Sequence, residues 1–253
     1  MNLARIARAT TALPYRLDGG QVAAWKSTTT TNTNKRMWTG ANDMLVDHKA
    51  YVQALPGILG AYVGPAAIEP KLNESIMVTV NSAKKCPFCE GLHGQLARMA
   101  GVEDSKALND ASSVEEACGL VDLDDQVAIT FAREFAESDG EQGAYEELAK
   151  TYGEDRAKSI KSLCLFLHWG SLGGNTLNDS LSKLGEGGVT PFRLFYVTYY
   201  GPLFGVIAVM NAALPIMPRV PSALSAGVGV VLTFVGGSWL APVGLAGLAF
   251  GKE

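Results

Sequence analysis

Two cysteines and a histidine stand close together in "KKCPFCEGLHGQLARMAG": Cys86, Cys89 and His93, with Glu74 twelve residues ahead of the first sulfur. On a helix, Cys86 and Cys89 occupy neighbouring positions of one turn, and His93 lies one turn past Cys89 on the same face. With Cys86 at the first turn, the free N–H groups and the helix dipole favour a thiolate. Pro87 suits that place, because a first-turn proline gives up no needed hydrogen bond. The imidazole of His93 can take and return the Cys89 proton. Glu74 sits on the preceding helical stretch, and an antiparallel helical hairpin brings its carboxylate back to the His/Cys face. The chemistry this supports is a proton relay from Glu74 through His93 to Cys89, with Cys86 as partner sulfur and a Cys86–Cys89 disulfide as product.

The same residue types admit other readings. A lone CxxC serves redox and metal chemistry alike, but a structural zinc site takes four ligands. There is no second CxxC, and His48 and Cys118 are not at ligand spacing from this one. Cys164 and His168 repeat the i, i+4 spacing inside the apolar run "SLCLFLHWG", where a core position is the plainer expectation. Cys118 reads as a buried small residue. Four cysteines in 253 residues do not make a disulfide scaffold.

The surrounding pattern is helical. "WTGANDMLVDHKAYVQALPGILGAYV" has apolar residues at helical spacing and is expected to stop at Pro56 and the glycines. "PKLNESIMVTVNSA" opens on Pro70, although its β-branched residues weaken the helical pattern, and "PFCEGLHGQLARMAG" closes on Gly101 as a C-cap. Val127, Phe131 and Phe135 recur at i, i+4, i+8. Two further segments, "QGAYEELAKTYG" and "DRAKSIKSLCLFLHWGSLGGNTLNDSLSKLG", complete the set. No Val/Ile alternation competes, and no strict repeat is present. The fold class read from this is all-α.

A family resemblance follows. Glu74-x11-Cys86-x2-Cys89-x3-His93 is similar to the pattern of the alkylhydroperoxidase D (AhpD)-like branch of the carboxymuconolactone decarboxylase superfamily. The likeness extends through "LPGILGAYVGPAAIEPKLNESIMVTVNSAKKCPFCEGLHGQLARMAGV" into "DDQVAITFAREFAES" and "GNTLNDSL", roughly residues 45–185. It implies an all-helical thiol peroxidase or disulfide reductase that oligomerises. Cys89 would then attack peroxide, Cys86 would resolve it, His93 would shuttle the proton and Glu74 would be the base behind it. No metal or organic cofactor is implied. Phe88 stands where some members carry a second histidine within the CxxC, which shortens the relay and puts the strength of peroxidase activity in question. Decarboxylase members lack the paired cysteines.

The ends differ from this middle. Residues 1–37 contain Arg5, Arg8 and Arg16, no acid before Asp18, and the polar run "STTTTNTNKR". That composition matches a targeting segment for an organelle such as the mitochondrion, or a basic arm. Residues 38–189 hold the helical thiol domain. In residues 190–253, Leu194 to Pro218 is a run of 25 residues without charge, and Val220 to Gly251 a run of 32, separated by Arg219. A span needs ~20 apolar residues, so a transmembrane helical hairpin is expected, with a Gly-rich buried helical pair as its alternative. A hairpin places the thiol domain on one side of the membrane, with Arg219 near the other. That side must be reducing if the thiols are to cycle, as cytosol or an organelle matrix is. Net charge is −4 and no dense Lys/Arg run occurs, which speaks against nucleic-acid binding. The partners expected are a hydroperoxide or disulfide substrate, a dithiol electron donor, a membrane, and copies of this chain or the subunits of a membrane complex. The competing expectation is an accessory subunit of a membrane complex that keeps an AhpD-like fold.

Overall fold

The computed structural model describes residues 36–140, 145–214 and Gly227. The expected targeting segment, apart from Arg36 and Met37, and the second arm of the expected hairpin, apart from Gly227, lie outside the described residues. Every regular element described is helical, and no strand occurs among the described residues. In chain order they are α1 (Ala41–Tyr62), α2 (Pro70–Lys84), α3 (Pro87–Ala100), α4 (Ser105–Asp110), α5 (Val114–Cys118), a 3₁₀ turn (Leu123–Asp125), α6 (Gln126–Glu137), α7 (Tyr145–Tyr152), α8 (Glu154–Gly185) and α9 (Pro191–Ala213).

The centre is α2. From Leu72 to Lys84 every residue is buried, because α3, α4, α6 and α8 all pack on it. This resolves the doubt over its β-branched residues: Ile76, Val78 and Val80 are all core positions, and burial outweighs the few tenths of a kcal/mol that β-branching costs a helix. A helix enclosed this way must satisfy its polar side chains internally. Asn81 donates to Asn109 Oδ1 at 2.8 Å, Arg133 donates to Ser82 Oγ at 2.8 Å, and Lys84 is ion-paired with Asp139. Glu74 finds its partner on α3.

α1 departs from the expectation that Pro56 and the glycines end it. The helix runs through Pro56, Gly57 and Gly60 to Tyr62. The reason is tertiary. At Gly57 an added Cβ would lie 2.2 Å from Ser162 Oγ, and at Gly60 it would lie 3.3 Å from Ser159 Oγ. The two glycines let α8 approach closely, and that packing outweighs the roughly 3 kcal/mol or more that an interior proline costs.

α8, 32 residues long, is the spine against which α1, α2, α3, α6, α7 and α9 pack. α9 begins at Pro191 behind the Thr190 cap and turns one face to the domain. Tyr196, Tyr200 and Phe204, at i, i+4, i+8, are buried with Trp38, Tyr51 and Trp169 in one aromatic cluster. Tyr200 donates to Nε2 of the buried His48 at 2.7 Å, and Tyr196 donates to the Gly173 carbonyl at 3.0 Å. His48 Nδ1 donates to the Met44 carbonyl at 2.6 Å, and burial lowers this histidine to about 4, so it is neutral core. On its outer side α9 exposes Leu194, Phe195, Val206 and Val209. By length and composition α9 can cross a membrane, yet it rests on the domain along its length, and 22% of its most apolar stretch is buried.

Candidate active site

The turn between α2 and α3 builds the site. α2 ends at Lys84, and Lys85 adopts the left-handed conformation with φ 55°, reversing the chain. Cys86 is then the N-cap of α3 and Pro87 its first residue. The Cys86 amide donates to Asn81 Oδ1 at 3.1 Å. Cys86 Sγ accepts the Cys89 amide at 3.3 Å, so a sulfur serves where Ser or Asp caps most helices. This is the first-turn place expected from the sequence.

Reversal of the chain lays α3 against α2. Glu74, one turn into α2, then meets His93, two turns into α3. Glu74 Oε2 accepts from His93 Nδ1 at 2.9 Å, with both residues buried. A carboxylate on Nδ1 fixes the ring and leaves Nε2 to exchange a proton. Cys89 lies one turn before His93 on the same helix. Its thiol is pushed well above the ordinary cysteine value, first by burial and then by the Cys86 sulfur beside it. Ser171 on α8 donates its hydroxyl to Cys89 Sγ at 3.6 Å and pulls the other way. All four residues singled out from the sequence are thus gathered at one α2–α3 junction, and both cysteines are free thiols.

Two participants were not singled out. Ser171 gives no signal in "WGSLGG" beyond being small and polar in an apolar run. Gly174 gives less: a Cβ there would lie 2.6 Å from Cys86 Sγ, so its absence is what lets α8 pass the sulfur. Phe88, between the cysteines, is tilted against Phe204 of α9 with centroids 5.3 Å apart, and its carbonyl accepts from Asn211 at 3.0 Å.

Two cavities reach the site. One, about 170 Å³, lies among α2, α3 and α4 and is lined by Asn81, Gln95, Arg98, Ser105, Lys106 and Asn109. The other, about 70 Å³, is walled by Leu92, Leu96, Phe166, Leu203 and Ile207, with Glu74 at its polar end. Cys89 and His93 line both.

The remaining cysteines stand apart. Cys164 is wholly buried, and burial pushes its thiol up. His168 packs edge-on against Phe135, centroids 6.1 Å apart. Cys118, expected buried, is only half-buried: it bonds Thr130 Oγ1 at 3.4 Å at the end of the short α5, where no helix covers it completely. Among the described residues no three His, Cys, Asp or Glu side chains are gathered as a metal site would need. Comparison of the chain with family models, with curated proteins and with solved structures gives no match.

Proposed function

We propose that this chain is a membrane-associated thiol oxidoreductase of the AhpD-like kind, reducing a hydroperoxide or a partner's disulfide through Cys86 and Cys89. The observation that carries this reading is the 2.9 Å contact between Glu74 and His93 on facing helices, one turn from Cys89. A carboxylate that fixes a histidine ring one turn from a thiol pair is the arrangement a proton relay needs.

The steps balance as follows. His93, held by Glu74, takes the Cys89 proton as the sulfur attacks the terminal peroxide oxygen. The O–O bond breaks, the alkoxide takes that proton from His93 and leaves as alcohol, and Cys89 becomes a sulfenic acid. Cys86 displaces water from that sulfur, forming the disulfide. A dithiol then reduces it by exchange. Because burial holds the Cys89 thiol protonated at rest, attack depends on proton removal by the relay. The membrane enters through the outward apolar face of α9 and the uncharged run that follows it, with the thiol domain on a reducing side.

A second reading has its own observation. Cys89 is 7% exposed and Cys86 not at all, a poor arrangement for meeting substrate, and α9 offers an apolar face suited to neighbouring subunits. That favours an accessory subunit of a membrane complex. Mass spectrometry of the reduced chain after one equivalent of peroxide separates the two. A Cys86–Cys89 disulfide is expected. An unmodified pair would leave the accessory-subunit reading standing.

A further inference from the structure

Cys89 and His93 are the two residues common to the polar and the apolar cavity. The thiol and its imidazole therefore form a partition with chemically unlike spaces on its two sides. The polar space is bounded by α2, α3 and α4 and offers amide, hydroxyl, guanidinium and ammonium groups. The apolar space is bounded mainly by α3, α8 and α9, with Tyr62 of α1 and Glu74 of α2 completing its wall. Its walls include Leu203 and Ile207, which belong to the helix long and apolar enough to meet lipid. Phe88 keeps that side apolar where a polar residue inside the CxxC would not.

Resting on the thiol-oxidoreductase reading, we infer that the two substrates reach Cys89 from opposite sides. The oxidant is a lipid-soluble hydroperoxide, its carbon chain lying along α9 and its peroxide end beside Cys89 and His93. The reductant is a water-soluble dithiol using the polar cavity. The volumes accord with this division. About 70 Å³ holds the peroxide group and the first few carbons of a chain, and the rest of the chain runs out along the helix. The larger cavity is lined mainly by polar and charged side chains, with Val78 its one aliphatic wall residue, and so offers that chain less apolar surface to lie on. Overall, the hydroperoxide and the dithiol yield alcohol, water and the oxidised dithiol: two electrons pass from dithiol sulfur to the O–O bond, and the two thiol protons leave on alcohol and water.

Two consequences are measurable. A chain gripped by an apolar wall gains roughly a factor of four in binding for each methylene buried. Separate mouths also mean that excess dithiol does not exclude the oxidant.

The test uses the full chain in phosphatidylcholine vesicles, with linoleic acid hydroperoxide or hydrogen peroxide as oxidant and dithiothreitol as reductant. The expected result is a kcat/KM at least about tenfold higher for the acyl hydroperoxide, which three buried methylenes more than supply. Rising dithiothreitol should leave the KM for the acyl hydroperoxide free of competitive inhibition. Ile207→Asn, and separately Leu203→Asn, should pull the ratio of the two efficiencies toward one. Equal efficiencies in the wild type, an unchanged ratio in both variants, or competitive inhibition by dithiothreitol would overturn the two-sided assignment. With hydrogen peroxide still forming the Cys86–Cys89 disulfide, only this inference falls. With no disulfide formed by either peroxide, the thiol-oxidoreductase reading falls with it.

Discussion

The chain contains the spacing Cys-x-x-x-His twice, at Cys89/His93 and at Cys164/His168, and the two occurrences have opposite surroundings. Both lie on helices and both are buried. On α3 the cysteine follows an N-cap sulfur, the histidine has a carboxylate at 2.9 Å, and two cavities reach the pair. On α8 the cysteine sits in the apolar cluster between α2 and α6 and lines neither cavity, and the histidine leans on a phenylalanine ring. The lesson is that i, i+4 spacing makes a thiol–imidazole pair only adjacent. What makes it a candidate for chemistry is a second helix supplying charge, a second sulfur within reach and open space on at least one side.

This contrast is sharpest in the first variant. Cys89→Ser is expected to abolish peroxide consumption, while Cys164→Ser keeps it in whatever fraction folds; a peroxide-consumption assay normalised to folded protein reads the difference. Loss of activity in both would dissolve the distinction. Next comes the partner sulfur, which Cys164 lacks. Cys86→Ser should permit one attack per chain and then stop, leaving a Cys89 sulfenic acid that dimedone labels and further peroxide over-oxidises. The carboxylate held on His93 is tested next. Glu74→Gln and His93→Ala should slow the reaction ~10²–10⁴-fold, the usual range for a lost acid–base group. His168→Gln should leave the rate per folded molecule unchanged.

The smallest effect concerns what the two sites share. Burial raises both the Cys89 and the Cys164 thiol. Each therefore keeps its proton when folded, where an unfolded cysteine releases it near pH ~8.5. Above that pH the unfolded chain binds fewer protons than the folded one, so stability is whole below ~8.5 and declines as pH rises. At most each thiol contributes ~1.4 kcal/mol per pH unit to that decline. Urea midpoints between pH 7 and pH 10 should fall, and Cys164→Ala should make the slope shallower.

The geometry of the candidate site was largely legible because its signals are local. Pro70 and Pro87 mark helix starts, Gly101 with φ 92° marks a helix end, and a two-residue reversal between α2 and α3 suffices to bring Glu74 to His93. What was not legible depends on neighbours remote in sequence. Pro56 looks like a stop until Ser159 and Ser162 of α8 are seen to need the glycines beside it. Ser171 and Gly174 carry no pattern that announces a sulfur 82 or 88 residues earlier. Hydropathy identifies α9 as apolar, but it does not distinguish a helix wrapped in lipid from one that commits a Tyr/Tyr/Phe face to its own domain.

Gly174 has a consequence for timing. The hydrogen it carries in place of a methyl is the clearance within which the Cys86 sulfur can turn. On the proposed thiol chemistry, attack on an oxidant would need no movement of Cys86, but closing the sulfur–sulfur bond would require Cys86 to leave its place under the Cys89 amide and rotate. That rotation would compete with a second oxidising encounter, so the clearance beside α8 would set how long an oxidised sulfur waits and what share of events ends in irreversible damage. A residue with no side chain would in this way govern durability over many cycles and leave the speed of any single one untouched.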